Sequence, residues 1–256
     1  MTQDDVLVET VDGHIGLVTF NRPAKLNALN YDTVRLLDEA LTGFEDDPAI
    51  RCLVITGAGE KAFSAGADIH EQVDFSPEEY QDRLERRAQF LWHLANSAMP
   101  TIGAINGLAY GGAAALATTL DIRVGCERSK FRFLGASYGR MNSTWSLPLV
   151  VGWAAAKELL FTARVVSPEE ALQLGLLNKV VPATELRAAA LEMAGQIAAN
   201  NPETVRGLKE ILHADIGATL ADMYANERRA ATTTHRPGPP QEAFADFLTR
   251  RGDGKA

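Results

Sequence analysis

From Ala88 to Leu120 the chain carries no Asp, Glu, Lys or Arg. An uncharged stretch of that length belongs either in a bilayer or in a protein core. Asn96, Pro100 and Asn106 interrupt it, and five glycines or prolines fall between Pro100 and Gly112. Such punctuation is incompatible with one spanning helix. The stretch reads as helix, strand, tight turn and second helix, buried in protein rather than lipid. A buried strand flanked by helices requires further strands beside it and helices over it, so the rest of the chain must supply a layered α/β fold.

The surrounding pattern supplies those layers. Val6–Val8 and Ile15–Phe20 read as strands joined at Asp12-Gly13. A helix is expected from about Tyr31 to Phe44, with Val34, Leu37 and Leu41 on one face. Arg51–Thr56 is nearly continuous apolar sequence, the mark of a strand covered on both faces. Thr101–Ile105 and Asp121–Gly125 read as strands, and Gly111–Leu120 as a helix of small residues. Ser76-Pro77-Glu78-Glu79 is a capping box that starts a helix, and Ser167-Pro168-Glu169-Glu170 is expected to repeat that device, with Gly175 as the stop. From Pro182 the chain reads as helical, over about 182–199, 203–214, 218–233 and 240–250. Alternating strands and helices imply parallel pairing with right-handed crossovers. A core domain over residues 1–200 and a helical region over 201–256 are expected.

Composition narrows the function classes. Of 256 residues, 33 are acidic and 25 basic, a formal net charge of −8. Phosphate backbones and anionic membranes require a basic face, so neither nucleic acid nor membrane is an expected partner. A small anionic ligand needs only a few local cations. Cys52 and Cys126 lie in apolar strand-like runs and read as reduced, buried thiols. No group of residues has metal-ligand spacing. The acidic N-terminus shows no signal or transit peptide, and a cytoplasmic location is expected.

Two glycine–alanine segments carry the chemical signal. They are Lys61-Ala62-Phe63-Ser64-Ala65-Gly66-Ala67-Asp68-Ile69 and Asn106-Gly107-Leu108-Ala109-Tyr110-Gly111-Gly112-Ala113-Ala114-Ala115. Each follows a buried strand. Small residues let a ligand reach the backbone, and two free N–H groups converging on one point would form an oxyanion hole. Each segment read alone is equally a tight strand-to-helix turn. Neither matches a phosphate loop or a dinucleotide fingerprint.

Together with Phe20-Asn21-Arg22-Pro23-Ala24-Lys25-Leu26-Asn27-Ala28-Leu29, the SPEEAxxxGLxNxVV pattern within Thr162–Val180 and Phe247-Leu248-Thr249-Arg250-Arg251, these segments resemble the enoyl-CoA hydratase/isomerase (crotonase) superfamily over nearly the whole chain. The resemblance implies a crotonase-like (ClpP/crotonase) α/β fold, a spiral of ββα units with a helical C-terminal region that trimerises. It implies a homotrimer or a hexamer built as a dimer of trimers. The implied substrate is an acyl-CoA, with no cofactor beyond coenzyme A as part of it. The thioester oxygen would sit between the N–H groups of Ala67 and Gly112. Coenzyme A contacts would come from Lys25, Leu26 and Ala28, from Ala65, Asp68 and Ile69, and from Phe247 and Arg250 in the last helix. Lys25 and Arg250 are also readable as solvated surface charge. Asp68 is expected to fix its loop.

The chain departs from the hydratase pattern at two positions. Where the resemblance implies two glutamates that handle water, this chain has Ala115 and Gly135. Without them, acid–base hydration has no visible agent. The stretch Ser137–Trp145 would line the acyl pocket, with Tyr138 as a candidate catalytic group or a packed aromatic. His93, after Trp92, reads first as an ordinary helix histidine. The expected reaction is therefore of lyase type: decarboxylation, C–C cleavage or isomerisation through a stabilised enolate. The alternatives are a hydratase with an unidentified acid–base group and a catalytically silent acyl-CoA binder.

Overall fold

The structure of the protein, a computed structural model, describes residues 5–236, 238–244 and 248. It divides into two compact units, residues 1–199 and 200–256. The first unit contains β1 (Val6–Val11), β2 (Ile15–Phe20), α1 (Tyr31–Asp46), β3 (Cys52–Gly57), β4 (Ala62–Ser64), α2 (Ile69–Gln72) and α3 (Pro77–Asn96). It continues with β5 (Thr101–Ile105), β6 (Leu108–Tyr110), α4 (Gly112–Ala117), β7 (Ile122–Cys126), β8 (Lys130–Arg132), α5 (Leu147–Val151), α6 (Trp153–Thr162), α7 (Pro168–Gln173), β9 (Lys179–Val181) and α8 (Leu186–Ala198). The second unit holds α9 (Pro202–Ala214), α10 (Leu220–Thr232) and α11 (Pro240–Ala243).

A six-stranded sheet runs β1-β2-β3-β5-β7-β9 and a three-stranded sheet runs β4-β6-β8. Among the described strand pairs of these two sheets, β1–β2 alone is antiparallel. Each of β3, β5 and β7 lies in the large sheet and is followed by a strand of the small sheet and then by helix. The chain thus repeats a ββα unit, the spiral expected of a crotonase-like fold. The small sheet was not anticipated. Its strands are three residues long and pair with partners at least 20 residues away, so no local periodicity announces them.

Alternation explains the two layers. Along β2, β3, β5 and β7, Ile15, Leu17, Cys52, Val54, Ile102, Ala104, Val124 and Cys126 face α8 and its Leu186, Ala190 and Ala194. Val18, Phe20, Leu53, Ile55 and Ile105 face the other core, with Leu37 and Leu41 of α1, Phe90 and Leu94 of α3, and Phe63 and Phe131 of the small sheet. Both cysteines are buried thiols, one in each of β3 and β7.

The helix starts follow their caps. Ser76 Oγ accepts from Glu79 N at 3.2 Å and Glu79 Oε2 accepts from Ser76 N at 2.8 Å, closing the expected box. Ser167 caps α7 in the same way, but its box stays open. The Glu170 carboxylate takes two Arg164 N–H groups instead, at 2.8 and 2.5 Å. A bidentate guanidinium outcompetes a single backbone amide.

In the second unit, Asn201 and Thr219 cap α9 and α10 by accepting from Thr204 N and Asp222 N. Asn226 Nδ2 donates to Asp215 Oδ1 at 2.6 Å, tying α10 to the end of α9. The helix expected over 240–250 is described as α11 over Pro240–Ala243. Among the described residues no helix is long and apolar enough to cross a membrane.

Candidate active site

The two glycine–alanine segments meet. Ala65 N donates to Leu26 O at 2.9 Å, Leu29 N to Gly66 O at 2.7 Å and Asp68 N to Leu29 O at 3.0 Å. These bonds zip Ala65–Asp68 onto Leu26–Leu29. Gly66 has φ +89°, and a Cβ there would lie 2.5 Å from Tyr110 O and 2.8 Å from Gly112 N. The sequence reading assigned small residues here to ligand access. Gly66 has the further task of letting the two loops touch each other. Ala67 follows it, and neither the Ala67 nor the Gly112 amide has an acceptor among the described residues.

Buried polar side chains hold this junction. Asn27, 1% exposed with φ +54°, donates from Nδ2 to Ala58 O at 3.0 Å and Ala62 O at 2.8 Å. Its Oδ1 accepts from Arg22 N at 3.0 Å. Asn106 donates to Gly59 O at 2.9 Å and Ala62 O at 3.2 Å and accepts from Gly57 N. Loop carbonyls that would otherwise be buried without partners are thereby satisfied. Arg22 donates to Ala28 O at 2.6 Å and pairs with Asp5 at 3.3 Å and Asp68 at 3.1 Å. Asp68 is 6% exposed. Burial works against its charge, but the Arg22 hydrogen bond and charge outweigh it and hold the carboxyl below its ordinary range. Asp68 fixes its loop as expected, through an ion pair. Asn27, Asn106 and Arg22 were not singled out as site residues in the sequence. Their role lies in contacts across 30 to 50 residues, which no local pattern encodes.

The structure brings the coenzyme A candidates of the first unit together. Leu26 and Ala28 line one side of the zipped pair, Ala65 and Asp68 the other, and Ile69 is exposed at the start of α2. Lys25 ends a short 3₁₀ turn, is exposed, and adds to the charge that holds Asp68 ionised. Phe247 and Arg250 lie outside the described residues.

The segment after β8 is built differently. Gly135 O accepts from both Tyr138 N and Arg140 N, at 3.1 and 2.9 Å. A Cβ on Gly135 would lie 2.6 Å from Arg140 O. Tyr138 is 70% exposed on a 3₁₀ turn, and Met141 and Trp145 are also exposed. Trp145 meets Trp92 edge to face, with centroids 5.9 Å apart. Arg140 stacks on Tyr80 at 4.9 Å. Ala115 is buried inside α4.

His93 sits between α1 and α3. Its Nδ1 pairs with Asp38 at 2.7 Å and its Nε2 with Glu45 at 2.8 Å. Burial opposes the charge, yet the two carboxylates raise the imidazole above its ordinary value. Both nitrogens are engaged, which agrees with the structural reading of this histidine. Arg123, on β7, is buried and donates to the carbonyls of Ala117, Leu120 and Leu176; burial lowers its pKa to about 10.

Beside Ala67, a cleft is lined by Leu29, Tyr31, Glu71, Phe75, Tyr80, Arg83 and Arg87. Glu71 accepts from Tyr31 N at 3.0 Å. Arg83 lies over the rings of Tyr31 and Phe75, at 4.2 and 4.0 Å. The sequence reading missed this wall. Arg87 carried one usable signal: its neighbours three and four residues away, Arg83, Leu84, Phe90 and Leu91, include no carboxylate.

The fold of repeated ββα units is one that known proteins share. The enoyl-CoA hydratase/isomerase family model matches residues 10–253, and the chain belongs to that family. It is 33% identical to a short-chain-enoyl-CoA hydratase of Clostridium acetobutylicum, over 98% of this chain and 97% of the relative. It is 36% identical to a crotonyl-CoA hydratase of Syntrophomonas wolfei, again over 98% and 97%. Among solved structures, an enoyl-CoA hydratase of Bacillus anthracis superposes with a TM-score of 0.91 at 29% identity, covering 96% and 97% of the two chains. DspI of Pseudomonas aeruginosa superposes with a TM-score of 0.89 at 29% identity, covering 99% and 97%.

Proposed function

We propose that the protein processes an acyl-CoA, stabilising a thioester enolate between the amides of Ala67 and Gly112. The observation that carries this reading is the pair of acceptor-free amides on loops locked together at Gly66. Fixed backbone donors aimed at developing negative charge are the largest single source of rate in many such sites. Lys25, Leu26, Ala28, Ala65, Asp68 and Ile69 would receive coenzyme A.

The chemistry we favour is of lyase type: decarboxylation, C–C cleavage or isomerisation. Ala115 and Gly135 offer no carboxylate where the hydratase pattern has two. Gly135 also has no room for a side chain while Arg140 O closes over it. Tyr138 is the candidate proton carrier from the following turn. The similarity to enoyl-CoA and crotonyl-CoA hydratases favours hydration as the second reading. A panel of saturated, unsaturated and branched acyl-CoA thioesters, followed by calorimetry and mass spectrometry, tests the proposal. Binding across several thioesters with a product lighter than, or isomeric with, the substrate supports it. Complete silence across the panel overturns it.

We further propose a homotrimer or a dimer of trimers, in the cytoplasm. Leu208, Leu212, Leu220 and Tyr224 of α9 and α10 are exposed, more apolar surface than two short helices normally leave to water. Light scattering that shows a monomer at micromolar concentration contradicts it.

A further inference from the structure

Arg87 has no partner among the described residues. It makes no hydrogen bond and no ion pair among them, although it is partly buried. Its neighbours are engaged elsewhere: Arg86 pairs with Asp82 at 2.8 Å, Arg83 lies between two aromatic rings, and Glu71, on the same cleft, directs Oε2 to the Tyr31 amide and makes no ion pair among the described residues. The guanidinium rests against Gly112, so closely that a Cβ at that glycine would overlap it. Desolvation weighs on its charge, with only Tyr80 acting in the opposite sense. A guanidinium stays charged and offers a planar fork that matches a carboxylate. Holding that cation in a partly buried place without a counter-ion is costly unless a ligand provides one.

We propose that Arg87 pairs with a carboxylate on the acyl group, so that the substrate class is the mono-thioester of a short dicarboxylic acid. This rests on the reading that the thioester carbonyl sits between Ala67 and Gly112. With the carbonyl at Gly112, any anion reaching Arg87 lies within a few bonds of it. On the coenzyme side the thioester continues into the uncharged pantetheine arm, which carries its phosphates well away from the carbonyl. The carboxylate must therefore belong to the acyl chain. Arg87 is a specificity-determining residue in this account; the enolate is stabilised by the backbone.

The test compares isosteres. Succinyl-CoA and 4-methylpentanoyl-CoA have the same heavy-atom skeleton and nearly the same size, and differ in a planar carboxylate against an isopropyl end. Titration calorimetry should show succinyl-CoA bound about ten- to a hundredfold more tightly, the range of a hydrogen bond to a charged group. In Arg87→Gln the ratio should fall to near one or below, and in Arg87→Lys it should be intermediate. Because the ratio is taken within each variant, a general loss of affinity cancels. If the unmodified protein binds both thioesters equally, or if the preference survives in Arg87→Gln, the inference is overturned, whereas the acyl-CoA reading stands. If neither thioester nor acetyl-CoA binds, the acyl-CoA reading itself fails.

Discussion

The junction of Ala65–Asp68 with Tyr110–Gly112 and the segment Gly135–Trp145 lie in one unit and are built on opposite terms. The junction is held by side chains beneath it: two buried asparagines, the Arg22–Asp68 pair and a glycine that admits no Cβ. The segment after β8 is held by its own backbone, turned about the Gly135 carbonyl, and its large side chains face outward. Under the proposed function, the difference follows from where the chemistry resides. Backbone amides act regardless of the residue that carries them, so their position must be fixed by neighbours. A side-chain acid or base acts by its identity, and a turn that supplies one can lose it while the fold persists.

The harshest way to break that comparison is Gly66→Ala. A left-handed backbone and two contacts at 2.5 and 2.8 Å should cost about 1–3 kcal/mol in strain alone. The junction would spread, and acyl-CoA affinity should fall about tenfold or more, because displacements of an ångström matter at such sites. Calorimetry with acetyl-CoA and a thermal melt check both effects. An unchanged affinity would show that the loops need not touch.

Gly135→Glu tests the other region. The new Cβ meets Arg140 O at 2.6 Å, so the turn must open, at about 1–3 kcal/mol. No gain in crotonyl-CoA hydration is expected, because the carboxylate arrives on a displaced turn. A clear gain would show that the segment is a ready frame lacking only its acid.

A smaller effect should come from His93, outside both regions. Its folded pKa is raised, so its contribution is fully present below about pH 6.5 and is lost as pH rises through the folded value. The melting temperature of the unmodified protein should therefore fall relative to His93→Gln between about pH 6 and about pH 9. Parallel profiles would remove the ion pairs with Asp38 and Glu45 from the account. The smallest effect is expected of Tyr138→Phe. Removing the hydroxyl from a side chain 70% exposed should change stability by about 0.5 kcal/mol or less, and a loss of turnover without a loss of stability would place Tyr138 in the chemistry.

These contrasts also explain what could be read from the chain. The uncharged stretch Ala88–Leu120, the box at Ser76 and the run Arg51–Thr56 are local signals, and each led to the right element. In the six-stranded sheet β1, β2, β3, β5 and β7 were legible from their apolar runs, whereas β9, three residues long and beginning at an exposed lysine, was not. The three-stranded sheet was not, and neither was the open box at Ser167, where Arg164 competes for Glu170. In the site, the glycine–alanine loops were visible, because unusual backbone requires unusual sequence. Their supports, Asn27, Asn106 and Arg22, look like ordinary loop residues until the fold brings them under Ala58, Ala62 and Asp68. Arg87 sits in Arg86-Arg87-Ala88 on a helix rich in charge; the lack of a carboxylate three or four residues away set it apart only weakly, and the neighbouring loop at Gly112 is what distinguishes it from a solvated arginine.

The central claim is that the amide pair at Ala67 and Gly112 works here without the two carboxylates of a hydratase. Steady-state hydration of crotonyl-CoA by the unmodified protein tests it most directly. Positioned proton transfer contributes roughly 10²–10⁴-fold, so with Ala115 and Gly135 in those places turnover should fall orders of magnitude below about 10 s⁻¹, the middle of the enzyme range. Turnover of about 10 s⁻¹ or more would contradict the claim and place an efficient acid–base group elsewhere in the cleft.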